Sequence, residues 1–310
     1  MNLRARLHHS AAILLALLFW ARFAGAETFR VATYNVEGYL DQATETRSPK
    51  LSASKAKVRE SILALRPDVI ALQEMGRTNA LLELRDSLKA EGLDFPYWEH
   101  VSGFDTNIHV ALLSKFPFTA CRLHTDDSFL LSGRRFRVSR GLAEVDIQVN
   151  TNYSFTLIAA HLKSKRAVAQ ADEAELRLEE AKLLREKIDA RFAANPGVNL
   201  IVVGDFNDTK DSASTKAVIG RGKSKLVDTR PAERDGNSAS GPNPAWQLRN
   251  VTWTHYYSKE DTYSRIDYIL ISPGLARKWI ANDTYVLTLP NWGVGSDHRP
   301  IVASFEAQDK

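Results

Sequence analysis

The sequence predicts a mixed α/β layered fold with extensive sheet, and three observations carry that expectation. Strand-like and helix-like periodicities alternate through the first half of the chain. Strand-like runs dominate the second half. Five runs besides the central stretch, Leu200–Asp208, end or begin on polar residues suited to a site.

Phe29 to Val36 sets Phe29, Val31, Thr33 and Asn35 against Arg30, Ala32, Tyr34 and Val36, which suits a strand that ends by presenting Asn35. Lys55 to Leu65 places Val58, Ile62 and Leu65 at helical spacing, and Pro67 stops it. Asp68 to Glu74 is an apolar run ending on a carboxylate, and Asn79 to Ala90 is helical again. Strands follow at His109–Ser114 and Leu142–Val149; in the second, Ala143, Val145, Ile147 and Val149 share one face. Tyr153 to Ala160 runs into His161, Lys163 and Lys165. Asp172 to Phe192 is the clearest helix, with Leu184, Ile188 and Phe192 at four-residue intervals. In the stretch Leu200–Asp208 the four apolar residues from Leu200 to Val203 then read as a strand buried on both faces, with Gly204 allowing a turn or close approach and Asp205, Asn207 and Asp208 behind it. Arg230 to Pro244 reads as a surface loop. Two last strands, Arg265–Ser272 and Arg299–Phe305, carry Asp267 and are entered through Asp297-His298 respectively.

Arg4 and Arg6, an apolar run from Ala11 to Trp20 and Ala24-Gly25-Ala26 read as a secretory signal peptide over residues 1–26. Its apolar run is short for a membrane anchor, and Arg22 interrupts it. The mature chain is then residues 27–310, read as one domain and destined for the periplasm or the exterior. Of the net charge of +4, three arginines lie in the leader, which leaves +1. Overall basicity therefore carries no argument for a nucleic-acid partner, and any basic footprint has to be local. Cys121 is the only cysteine, so no intramolecular disulfide forms.

Collected at the strand ends are Asn35, Glu74, His161, Asp205, Asn207, Asp267, Asp297 and His298. Four carboxylates, two amides and two imidazoles without a thiolate favour Mg2+, Mn2+ or Ca2+. A nucleophile elbow (Gly-x-Ser-x-Gly) and a full phosphate loop (Gly-x-x-x-x-Gly-Lys-Ser or Gly-x-x-x-x-Gly-Lys-Thr) are both absent. The inventory points to metal-assisted hydrolysis of a phosphate ester. In-line attack on phosphorus needs a base that titrates near neutrality, as histidine does, and a group to take up phosphoryl charge.

Thr33-Tyr34-Asn35-Val36, Leu72-Gln73-Glu74, Ala160-His161-Leu162-Lys163-Ser164, Gly204-Asp205-Phe206-Asn207, Arg265-Ile266-Asp267-Tyr268 and Ser296-Asp297-His298-Arg299-Pro300 occur in that order. Together they resemble the endonuclease/exonuclease/phosphatase superfamily, which includes pancreatic-type deoxyribonuclease, abasic-site endonucleases, neutral sphingomyelinases and inositol-polyphosphate 5-phosphatases. The resemblance implies a four-layer sandwich, two central and mostly antiparallel sheets flanked by helices. It implies that Glu74 ligates Mg2+, with Asn35 and Asp297 close to it or to a second ion. His298 would touch the scissile phosphate and take the proton of the attacking water, with Asp267 holding its ring; in some family mechanisms Asp205 is the base instead. Asn207 would hold a phosphate oxygen. His161 stands where secreted deoxyribonucleases and sphingomyelinases carry a histidine and abasic-site enzymes a tyrosine.

Other residues have plainer readings. Asp208 reads as a turn residue. Arg140 is a candidate for the substrate phosphate, set against a solvated arginine; Lys163 and Lys165 are candidates for a phosphate channel, set against a solvated face. His100, His109, His124 and His255 fit no motif and read as ordinary. Trp246, Trp253 and Trp292 could stack on bases, with core packing as the default.

The expected activity is that of an exported nuclease cutting DNA, with RNA left open as a further substrate, as a monomer with no obligate protein partner. A sphingomyelinase or phospholipase C-type enzyme acting on a phospholipid headgroup is the alternative. It would need an apolar docking surface, and no aromatic hairpin is evident in the sequence. An exported binding protein on the same fold would show missing site residues, whereas all six motifs are intact.

Overall fold

Alternation along Thr28–Tyr39 (β1) buries both of its faces, Phe29 and Val31 on one side and Ala32, Tyr34 and Val36 on the other. The computed structural model describes residues 27–233 and 253–308. The expected leader (1–26), Trp246 and most of the loop expected at Arg230–Pro244 lie outside the described residues.

After β1 come helix α1 (Ser52–Leu65), β2 (Val69–Met75), α2 (Thr78–Ala90), β3 (Tyr97–Val101), β4 (His109–Ser114) and β5 (Phe118–His124). A hairpin, β6 (Ser128–Leu131) and β7 (Arg134–Arg137), leads into β8 (Leu142–Asn150), β9 (Tyr153–His161) and α3 (Glu173–Ala194). Then follow β10 (Leu200–Asp205), α4 (Ala213–Ile219), β11 (Val227–Asp228), β12 (Ala232–Glu233) and a second hairpin, β13 (His255–Tyr257) and β14 (Thr262–Ser264). The chain closes through β15 (Asp267–Ile271), β16 (Trp279–Val286) and β17 (Ile301–Glu306).

One sheet has the order β12-β16-β17-β1-β2-β4-β3 and the other β11-β15-β10-β9-β8-β5. Most neighbours are antiparallel; the short edge pair β12/β16 is parallel, as are β1/β2 and β9/β10 at the sheet centres, and each central pair is joined by a crossover that contains a helix. The sheets face each other across a core that includes Phe29, Val31, Ala71, Leu112, Val145, Leu157, Val203 and Ile269. The outer face of the first sheet packs on α1 and α2 through Ile70, Leu72, Ile62 and Leu84. That of the second packs on α3 and α4 through Ile158, Val202, Leu184 and Val218. The result is helix–sheet–sheet–helix, the expected four layers.

Strand parity places the site. Phe29 and Val31, Leu157 and Ala159, Ile201 and Val203, and Ile269 and Ile271 all face the core between the sheets. Continued by twos, the same positions are Asn35, His161, Asp205 and Asp267. The polar residues are thus the rim of the inter-sheet core, at the end where the apolar residues stop.

The hairpin β6–β7 was not anticipated. Phe129 stacks on Phe136 at 5.9 Å, while Leu130, Arg134, Arg135 and Arg137 are exposed. The Arg137 guanidinium lies 5.9 Å from the centre of the exposed Phe104 ring.

Candidate active site

Asp205 is the hub. Strand register sets it opposite His161 on β9 and opposite Asp267 on β15. Parallel pairing this close requires Gly204, because a Cβ there would stand 1.9 Å from the Ala160 carbonyl oxygen, at φ +137. Asn207 is in the left-handed region at φ +55. That turn lets its own N–H donate to Asp205 Oδ1 at 2.8 Å and its amide to the Leu162 carbonyl at 2.9 Å. From the other sheet, the Asn35 amide donates to Asp205 Oδ2 at 2.9 Å. His161 Nε2 and His298 Nε2 lie 3.6 and 3.8 Å from the same oxygen.

Burial, reinforced by the Asp267 carboxylate, pushes Asp205 up to about 7, against the pull of His298, Asn35 and the Asn207 N–H. Burial alone would lower His298, but the Asp267 and Asp205 carboxylates outweigh it and raise the ring to about 10. His298 Nδ1 and Asp267 Oδ2 are 2.8 Å apart, so Nε2 points toward Asp205 and Asp297. Ser296 locks this arrangement to the first sheet: its hydroxyl accepts the His298 N–H at 3.0 Å and donates to the Asn35 carbonyl at 2.7 Å. Thr254 Oγ1 accepts the N–H groups of Ile266 and Asp267 at 3.2 Å each. His161 is held well below the ordinary histidine value by burial, helped by Arg140.

A second, acidic corner lies beside the hub. Glu74 sits at φ +59, an uncommon conformation for a residue with a side chain. Its carboxylate pairs with Arg47 Nη1 at 2.5 Å. Asn35 Oδ1 accepts the Glu37 N–H at 3.0 Å, and Glu37 is pushed up by burial and by the charges of Asp297 and Glu74. The donor set of Glu37, Glu74, Asp297 and the Asn35 side-chain oxygen is all hard oxygen with crowded negative charge, which fits a divalent ion of the magnesium class. Arg47 would have to share Glu74 with it.

Of the residues singled out from sequence, Asn35, His161, Asp205, Asn207, Asp267 and His298 come together, with Glu74 and Asp297 at the adjoining corner. Arg140 is not solvated: it is buried, 3.6 Å from Asp105 and 3.4 Å from the Leu162 carbonyl, beside the site. Lys163 turns away, its Nζ donating to the Ser164 and Arg166 carbonyls at 3.0 and 2.8 Å. Asp208 accepts from Arg177 and Ser214 at 3.0 and 2.9 Å, a structural use. Trp253 lies under the Arg299 guanidinium and edge-on to Trp292.

Besides Glu37 of the acidic corner, three residues escaped the sequence reading. Arg47 sits in a loop without periodicity. His255, far from any motif, lies with Nε2 3.6 Å from Asp297 and its ring 4.6 Å from that of His298. Glu180, one acid among many on α3, is buried and accepts from the Ser139 N–H and hydroxyl at 2.9 Å each and from the Lys163 N–H at 2.6 Å. It ties together the two loops that carry Arg140 and Asn207's partner, Leu162.

A two-sheet sandwich with a carboxylate–histidine cluster at one rim defines a phosphoester hydrolase scaffold. The sequence model of the Endonuclease/Exonuclease/phosphatase family matches residues 32–298, and the chain belongs to that family. Solved structures share the fold. Truncated Caenorhabditis elegans TDP2 is 19% identical with a TM-score of 0.59, over 90% of this chain and 98% of that one. The human nocturnin catalytic domain is 17% identical with a TM-score of 0.63, over 91% and 95%. Sphingomyelinase C from Streptomyces griseocarneus is 18% identical with a TM-score of 0.59, over 90% and 100%. A search of the curated proteins found no match.

Proposed function

We propose that the chain is an exported, divalent-metal-dependent phosphodiesterase that cuts DNA. The observation that carries the chemistry is Asp205: a buried carboxylate poised near neutrality, between the imidazoles of His161 and His298. A general base works best when its pKa lies near the working pH. This favours Asp205 as the group that takes the proton of the attacking water. His298, held as an imidazolium by Asp267, faces the phosphate and stabilises the negative charge that builds on its oxygens. Asn207 and Arg140 flank the same rim and orient the phosphoryl group. Glu74, Asp297 and Asn35 would hold Mg2+, which supplies Lewis-acid neutralisation of phosphoryl charge.

Nucleic acid is favoured by the hairpin β6–β7, whose three exposed arginines continue the chain that leads, three residues past Arg137, into Arg140. Exposed Phe104 under Arg137 adds a surface for base stacking. A second reading, hydrolysis of a phospholipid headgroup, draws on the exposed apolar residue Leu130 of strand β6 and on the fold shared with a sphingomyelinase.

The test uses residues 27–310 with supercoiled plasmid and Mg2+, with chelator and Asp205→Ala as controls. Metal-dependent nicking lost in the variant is expected. No nicking together with hydrolysis of sphingomyelin would move the substrate to lipid, and silence on both would sink the enzymatic reading.

A further inference from the structure

At the edge of the acidic corner, and sharing Asp297 with it, the described residues bring two imidazoles and a carboxylate to one point: His255, Asp297 and His298, whose donor atoms all lie within 4.8 Å of one another. We infer that these three side chains form a transition-metal site, selective for Zn2+-like ions over Mg2+, through which such an ion shuts the reaction down.

Four features converge. Ligands bound at about 2.1 Å in a tetrahedron stand about 3.4 Å apart. His255 Nε2 is 3.6 Å from Asp297 Oδ2, and His298 Nε2 is 3.8 Å from Asp297 Oδ1. The imidazoles reach different oxygens of Asp297 and all three donor atoms lie within 4.8 Å of one another, so side-chain movements of about an ångström would seat an ion. The backbones are tied together, since an isolated antiparallel bridge pairs His255 with His298 and the Tyr256 N–H donates to the Asp297 carbonyl at 3.0 Å. His298 also carries the outer-shell partner that metal-binding histidines use: Asp267 on Nδ1 at 2.8 Å fixes the ring and aims Nε2 at the site, where a binding ion displaces the Nε2 proton of the imidazolium. Finally, Asp297 is 41% exposed, which leaves a path for the ion and room for water as a fourth ligand.

The two imidazoles decide selectivity. Mg2+ prefers oxygen donors and octahedral geometry, whereas nitrogen suits zinc, cobalt and nickel. An ion here ties up His298 Nε2 and draws Asp297 away from the acidic corner, so the expected consequence is inhibition. That consequence rests on the proposed hydrolysis; the binding itself does not.

Binding is therefore measured first, by calorimetry with Zn2+ on metal-stripped protein in excess Mg2+, and by the visible spectrum with Co2+. The parent protein is expected to bind Zn2+ at one site beyond what Mg2+ blocks, with the intense bands of four-coordinate cobalt. His255→Ala should weaken binding at least about tenfold, and Asp267→Asn by about 10–100-fold, the usual cost of an outer-shell partner. His255→Gln, which preserves bulk, serves if the alanine variant is misfolded by circular dichroism. Equal Zn2+ affinity in the parent and the His255 variants would overturn the site. Zn2+ inhibition of equal strength in both would overturn its role. Absence of nicking activity with normal Zn2+ binding would instead count only against the hydrolase reading.

Discussion

Asn35 and Asp205 belong to different sheets and stand 170 residues apart in sequence, yet the Asn35 amide donates to the Asp205 carboxylate at 2.9 Å. The bond spans the seam between the layers and gives a buried charge one of its few partners. Asn35→Ala is expected to cost about 1–3 kcal/mol, the desolvation of an acceptor left unpaired, and to lower hydrolysis by displacing Asp205. Asn35→Asp should be worse on both counts, since it sets a second carboxylate against the first. Urea denaturation of the two variants beside the parent, together with their rates, checks the order.

Asp205 makes stability depend on pH. Its proton is held to about 7 in the fold, against an ordinary value of 3.8. Between those values the native state keeps a proton that the unfolded chain releases, so stability falls as pH rises through that window and levels off above it. Asp205→Asn has no charge to bury, and its stability relative to the parent should climb from pH 4 to 7. Its hydrolysis should drop by about 10²–10⁴-fold, the share a positioned base contributes. Unfolding curves at several pH values, with the pH–rate profile of the parent, test both halves.

Glu180 is expected to act on the site without touching it. Glu180→Ala strips the acceptor from Ser139 and Lys163 and should destabilise by at least about 2 kcal/mol. Because the loops that carry Arg140 and Leu162 are released together, KM for a phosphodiester should rise as well. Glu180→Gln keeps one acceptor oxygen and should fall between. Melting temperatures and steady-state kinetics of the pair decide it.

Gly204→Ala should be among the most damaging single changes in the chain. The added methyl meets the Ala160 carbonyl at 1.9 Å, in a backbone conformation that disfavours side chains. That carbonyl is fixed by the β9/β10 pairing and cannot retreat. A loss above about 3 kcal/mol combines overpacking with strain. Soluble yield and denaturant midpoint are the readouts.

Much of this was legible in the sequence because apolar alternation and polar strand ends coincide. Asn35, His161, Asp205 and Asp267 fall on positions whose parity already faces the core, so a reader of the pattern finds them. What escaped had no such marker. Glu180 looks like its solvated neighbours on α3, and only the tertiary fold turns it inward. His255 gains meaning from a bridge to His298, 43 residues away in sequence. The strands β3 and β5 went unnoticed because each lies at a sheet edge, where polar residues such as Glu99, His100 and Arg122 interrupt the apolar pattern.

The rim where the two sheets meet has a consequence in time. One layer brings Asn35 and Glu74 and the other His161, Asp205 and Asp267, each set delivered by its own parallel strand pair or that pair's neighbour. Neither layer alone holds both the acidic corner and the hub. A chain still emerging or still unfolded thus offers no chemistry to the phosphodiesters around it, and the act of closing the sandwich is also the act of switching it on.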